Sequence, residues 1–148
     1  MMLVRLATSE DIPQLVQMRW DFSEEEHANS VVTFEEFNQI CSEFLLKAIQ
    51  SGDWYIWIAE SGGSLVSHMY LQLIHKVPRP GKSSDPYYGY VTNVYTRPAF
   101  RNLGIGSKII MLWKISQKRM RSSFSYFGQA TRALNSIQEI VFLRVKKR

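Results

Sequence analysis

Cysteine occurs once in 148 residues, at Cys41. A single thiol excludes an internal disulfide and fits a reducing compartment, so a cytoplasmic protein is expected. Histidine is also scarce, with three in the chain, and no His/Cys cluster has the spacing of a metal site, so no metal is expected. No apolar run is long enough to span a bilayer, and the first residues lack the apolar block of a secretory signal. No membrane partner is therefore expected. Acidic residues are missing from one region only. Residues 1–111 hold nine Lys/Arg against twelve Asp/Glu, whereas residues 112–148 hold nine Lys/Arg against Glu139 alone. The net charge of +5 thus comes from the last quarter, and a nucleic-acid partner, which needs a basic face on the folded domain, is not expected.

What is present suits one domain with a real core, spanning residues 1–148. Leu3 to Ala7 reads as a short strand. Thr8-Ser9-Glu10-Asp11 offers a capping hydroxyl and first-turn acids, and Ile12, Leu15 and Val16 begin a helix that the pattern carries to about Trp20. Phe22 to Val32, with Glu24, Glu25 and Glu26 in a row, reads as a solvated acidic linker. Thr33-x-x-Glu36 is a capping box. Phe34, Phe37, Cys41, Phe44, Leu45 and Ala48 then recur at helical spacing, a face read as core, and Gly52 ends the helix. Trp54 to Glu60 and Leu65 to His75 read as a hairpin turning at Ser61-Gly62-Gly63. His68 and His75 point to opposite faces of their strand and form no joint site, with His75, near the strand end, the better pocket candidate of the two. Lys76 to Pro86 is a Pro/Gly/Ser-rich loop, either a hairpin loop or a flap, and Tyr87 to Thr96 is a further strand.

The stretch after that strand organises the rest. Asn93 to Ile109 reads N-V-Y-T-R-P-A-F-R-N-L-G-I-G-S-K-I. Glycines there let a backbone approach a ligand, and a helix first turn offers unpaired N–H groups together with the positive end of the dipole. Strand, loop and helix start together make an anion cradle suited to a diphosphate.

Arg101-x-x-Gly104-x-Gly106, with Pro98 ahead of it, resembles motif A of the GNAT N-acetyltransferase superfamily, and the resemblance extends over about residues 3–111. It implies an α/β (α+β) fold with a mixed, mostly antiparallel sheet flanked by helices on both faces. It also implies acetyl-CoA as cosubstrate, and direct acetyl transfer to a primary amine of a small-molecule or peptide acceptor. By the same resemblance, main-chain N–H groups of Arg101, Asn102, Leu103, Gly104, Ile105, Gly106 and Ser107 hold the CoA pyrophosphate. Many members carry Gly where Asn102 stands, and Asn tolerates the left-handed region. Val94, Tyr95 and Thr96 correspond to the bulged stretch of the fourth strand, whose free backbone groups pair with pantetheine and the thioester carbonyl. In the family, the segment joining the first two helices lines the amine pocket, so Glu24 to Glu26 also read as an acceptor-site wall. Many members place a Glu base on the fourth strand and a Tyr acid in an F-Y-x-R-x-G-F pattern. Neither is found here, so no catalytic acid or base is assigned. Oligomeric state, including a homodimer, is open. So is a CoA-binding but catalytically impaired protein, because the C-terminal part departs from the family.

From about Leu112 the family pattern stops, and residues 112–148 are atypical. The genetic code offers a reason. Taking the third base of each codon with the first two of the next, Phe127-Gly128 permits Trp, Gly128-Gln129 permits Pro, Gln129-Ala130 permits Ser and Ala130-Thr131 permits Asp. The shifted frame through Phe142 can spell W-P-S-D-x-S-V-E-F-Y-x-R-N-x-F, close to how many family members end, and it would be acidic where this frame is basic. The alternative is a divergent tail with a strand over Ser123–Ala130 and a helix over Thr131–Val145. A one- or two-base slip near residues 110–113 makes a direct prediction. The coding DNA, read one register over, should spell the family ending, and codons that do not spell it dispose of the idea.

Overall fold

The computed structural model describes residues 1–27, 31–75, 77, 78, 80 and 87–113. The segment suspected of a frame slip lies almost wholly outside them, as does most of the loop between residues 76 and 86.

Four antiparallel strands form one sheet in the order β1 (Met2–Leu6), β2 (Trp54–Ser61), β3 (Ser64–His75) and β4 (Tyr87–Thr96) among the described residues. Between β1 and β2 run α1 (Ile12–Glu26) and α2 (Phe34–Ser51). A third helix, α3, occupies residues 105–113. The sheet is apolar on both faces. Leu15, Val16, Met18, Leu45, Ile58 and Tyr70 pack where α1 and α2 cover it. Met69, Leu71, Val91, Ile105, Ile109 and Trp113 pack where α3 covers the other side. This is the antiparallel sheet between helices that the motif implied.

Local signals explain most boundaries. The Thr33 backbone N–H donates to Glu36 Oε2 at 2.9 Å and Glu36 N–H donates to Thr33 Oγ1 at 3.3 Å, closing the capping box of α2. Gly52 ends α2 in the left-handed region at φ 74°. Ser61 pairs with Ser64 across Gly62 and Gly63, both at positive φ, the turn that matches strand twist. The start of α1 is set by charge as well as by capping. Asp11, almost fully buried, accepts the Thr8 backbone N–H at 2.7 Å and both guanidinium nitrogens of Arg5 at 2.7 and 2.9 Å. Arg5 also donates to Glu60 at 2.8 Å, so β1, β2 and the head of α1 share one cation.

One expected boundary is wrong. α1 does not stop near Trp20; it runs on to Glu26, so Glu24, Glu25 and Glu26 form its last turn rather than a linker. Acids at a helix C-terminus oppose the dipole, and no local signal favours them there. Long-range partners do. Asp21 accepts Arg97 at 2.9 Å and Glu25 accepts Arg101 at 2.6 Å, while Phe22 stacks on Tyr95 with ring centroids 5.1 Å apart.

Arg5 holds the Asp11 carboxyl below the usual carboxylate range, against the opposing effect of burial. Asp11→Ala removes four hydrogen bonds to the carboxylate, two from Arg5 and two from Thr8, and should lower unfolding free energy by about 2 kcal/mol in a urea titration, allowing for partial exposure of Arg5. An unchanged midpoint would mean that Glu60 alone satisfies the guanidinium.

Candidate functional site

β4 is bent by a bulge. His68 of β3 faces Tyr95 and Tyr70 faces Thr92, so Met69 stands opposite both Asn93 and Val94. Asn93 takes φ 49°, in the left-handed region that Asn tolerates better than most residues. Its carbonyl accepts the Nδ1–H of His68 at 2.8 Å, which fixes the tautomer and leaves Nε2 as a buried acceptor without a partner among the described residues. Burial pushes the fully enclosed His68 imidazole down to about 4, against the upward pull of the Asn93 carbonyl. The ring is therefore neutral at pH 7, as a buried N–H donor should be. His75, the other candidate, is exposed at the end of β3.

Beyond the bulge lies the loop expected to be an anion cradle. Tyr95 is buried and Thr96 half-buried, with Ser67 Oγ donating to Tyr95 O at 3.0 Å and lying 2.8 Å from Thr96 Oγ1. Arg97 N–H returns to Val66 O at 2.9 Å, so by strand alternation Thr96 turns its backbone groups away from β3. Its carbonyl there accepts Arg101 Nε at 2.9 Å. A single 3-10 turn, Pro98–Phe100, follows. Asn102 at φ 63° and Gly104 at φ 73° then redirect the backbone into α3. Asn102 thus occupies the left-handed region in person.

The amides of this loop divide clearly. Arg101 N–H is committed to Pro98 O at 3.2 Å and Lys108 N–H to Gly104 O at 3.0 Å. Between them, the N–H groups of Asn102, Leu103, Gly104, Ile105, Gly106 and Ser107 have no acceptor among the described residues. Gly104 needs glycine for its φ. Gly106 does not, and a Cβ built there meets nothing within 4 Å. Its glycine answers no demand of the fold and leaves room for a ligand to approach the backbone. Val91 and Val94 of β4 and Gly106, Ile109 and Ile110 of α3 also border a cavity of about 40 Å³.

The side chain of Arg101 points away from this cradle. Its guanidinium stands 5.6 Å from the Tyr95 ring centroid and donates to Glu25. The Tyr95 hydroxyl donates to the same carboxylate at 2.7 Å. Arg101 and Tyr95 together hold Glu25 below the usual carboxylate range, Arg101 more strongly. Burial and Glu25 push the Tyr95 hydroxyl up to about 12.

The chain belongs to the acetyltransferase (GNAT) family. A family model with that description matches residues 12–115. Solved structures share the fold. A predicted acetyltransferase of Clostridium acetobutylicum, crystallised with acetyl-CoA, is 23% identical, with a TM-score of 0.65 over 80% of this chain and 75% of that one. A GCN5-related N-acetyltransferase of Ralstonia eutropha JMP134 is 22% identical, with a TM-score of 0.63 over 80% and 77%. An aminoglycoside acetyltransferase from a soil metagenomic sample, in complex with sisomicin, is 15% identical, with a TM-score of 0.58 over 94% and 74%. No curated protein matches the chain in sequence.

On the opposite face of the sheet, a cleft of about 520 Å³ opens between α1, α2 and β4, reaching Thr92 and Asn93. Glu26 lines it, as the wall reading of the acidic run expected, whereas Glu25 is tied to Arg101 and Tyr95. Sequence reasoning missed most of the cleft. Phe37, Cys41 and Phe44, read as core, line it. The available signal was the width of the α2 stripe, since Ile40 adds a further apolar position beyond what one core contact needs. Burial raises the Cys41 thiol, so it is a poor nucleophile. Among the described residues no group of His, Cys, Asp and Glu could hold a metal ion, and no helix is long and apolar enough to cross a membrane.

His68 gives this site a pH signature. Its folded value near 4 lies below the unfolded value near 6.5. The unfolded chain therefore takes up the proton first, and stability is lost as pH falls through this interval. Unfolding free energy should drop by about 2 kcal/mol between pH 7 and pH 5. A His68→Gln variant should show a much flatter profile over the same interval. Equal slopes would remove His68 as the titrating group.

Proposed function

We propose that this family member transfers acetyl from acetyl-CoA to a primary amine by direct attack, with no covalent enzyme intermediate. The observation that supports it best is the run of uncommitted amides from Asn102 to Ser107 beside a bulged strand. Amides 105, 106 and 107 are the first turn of α3, where the dipole adds its positive end. In this reading they bind the pyrophosphate, assisted by Asn102, Leu103 and Gly104. Arg101 contributes by fixing the loop through Thr96 and Glu25, since its own N–H closes the preceding turn. Val94, Tyr95 and Thr96 offer their backbone to pantetheine and the thioester.

Acetyl-CoA supplies an activated acyl carbon: the amine lone pair forms the C–N bond, the C–S bond breaks, and the proton lost by the amine ends on the CoA sulfur. The chain's own contribution is positioning. The bulge turns β4 so that Thr92 and Asn93 face the cleft while Thr96 faces away from β3. An N–H in this bent stretch, aimed at the carbonyl oxygen, stabilises charge that develops there. The acceptor enters from the cleft side and meets the acyl group at the bend. The single thiol supports a reducing, cytoplasmic location in this reading.

Gly106 separates cradle from scaffold. Gly106→Ala should leave the melting temperature unchanged or raise it, because the helix favours Ala and the space is empty. The same variant, which keeps to the Gly or Ala that the family motif takes at this position, should retain acetyl-CoA binding by calorimetry, whereas Gly106→Glu should abolish it. Undiminished affinity in Gly106→Glu would place the diphosphate elsewhere.

A further inference from the structure

We propose that the acceptor is a monocationic amine carrying an aromatic or bulky apolar body, an inference that rests on the acetyltransferase reading and deepens it. The 520 Å³ cleft is within the usual size range for small-ligand sites. Its walls are aromatic. Phe44 meets Trp54 edge-on with centroids 5.4 Å apart, and Trp54 meets Tyr70 edge-on at 6.5 Å. Phe22 and Phe37 line the cleft from α1 and α2. A polyhydroxylated acceptor would leave water for surfaces that return few hydrogen bonds. An aromatic body gains from those same surfaces through burial and edge-to-face contact.

The charges narrow the choice further. Among the described residues, Glu26 is the one acid lining the cleft and Arg19 the one base. Glu26 can hold one ammonium. Arg19, whose guanidinium stands 5.4 Å from the Phe22 ring centroid, disfavours a second positive group nearby. Polyamines and aminoglycosides therefore fit poorly, and a single amine fits well. At β4, Thr92 and Asn93 supply the polar end of the cleft, and Asn93 Oδ1 is a buried acceptor with no donor among the described residues. The mouth is apolar too: Ile40 is 68% exposed and Phe44 46% exposed. Both remain in water until an apolar occupant covers them.

The test uses the full chain with acetyl-CoA and five acceptors: 2-phenylethylamine, tryptamine, spermidine, glucosamine and kanamycin. The aromatic amines should show kcat/KM at least tenfold above the others. Phe44→Ala and Ile40→Asp, both at exposed positions that the fold tolerates, should raise KM for 2-phenylethylamine about tenfold without changing acetyl-CoA affinity. Preference for spermidine, glucosamine or kanamycin would overturn the proposed acceptor class while leaving the acetyltransferase reading intact. Failure of the wild-type chain to bind acetyl-CoA would overturn both. If acetyl-CoA binds but no amine turns over, a melting-temperature titration with 2-phenylethylamine decides. A saturable rise, lost in Phe44→Ala, supports the class, and no rise overturns it.

Discussion

One hydrogen bond governs the geometry of this protein: the buried Nδ1–H of His68 donating to Asn93 O. An antiparallel ladder left to itself would run straight through β4, alternating its backbone groups toward and away from β3. The extra residue at Asn93–Val94 breaks that alternation and needs a non-glycine residue at φ 49°, a conformation that persists only where the surroundings over-determine it. A donor from the adjacent strand, held in a dry interior and neutral at physiological pH, does so. The consequence runs in both directions along the strand. Before the bulge, Thr92 and Asn93 reach the cleft; after it, Tyr95 turns back under α1 and Thr96 turns outward. The cost is two buried acceptors, His68 Nε2 and Asn93 Oδ1, without donors among the described residues.

The second organising feature is electrostatic. Asp21 and Glu25 are four residues apart on α1, and Arg97 and Arg101 are four apart on the loop that they bind. Each pair is partly exposed, and such pairs contribute at most about 1 kcal/mol. Their value is orientation. They hold the last turns of α1, which border the cleft, against the loop that forms the cradle. They also draw the Arg101 charge toward Glu25 and Thr96 and away from the free amides. On the proposed reading, an anion there would meet neutral dipoles, the oriented N–H groups and the helix end, rather than the Arg101 guanidinium.

This division explains what was legible in the sequence. Features whose cause is local could be read: the Thr33–Glu36 box, the Gly52 stop, the Gly62-Gly63 turn and the loop with Asn102 and Gly104 at positive φ. Each depends on a local position that few residue types can fill, such as glycine at positive φ. The acidic end of α1 could not be read as helix, because the arginines that hold it lie 76 residues away. The aromatic face of α2 was readable as apolar and helical but not as a cleft wall. Periodicity reports which side chains leave the solvent-facing stripe, not whether the space in front of them is filled. His68 was ambiguous for the same reason, since its partner is a carbonyl on another strand.

Magnitude settles the nature of that space. A sealed void of about 520 Å³, at ~24 cal/mol per Å³ of cavity, would cost about 12 kcal/mol, as much as the whole stability of an ordinary domain. The chain cannot carry such a void, and among the described residues the cleft is open to water. Water against aromatic walls makes poor use of its hydrogen bonds, and an apolar body that displaces it returns that water to bulk. A domain of this size has every energetic reason to close over Phe44, Trp54 and Ile40. That it leaves them around an open cleft beside the bend in β4 is the strongest physical argument that something else is meant to fill the space.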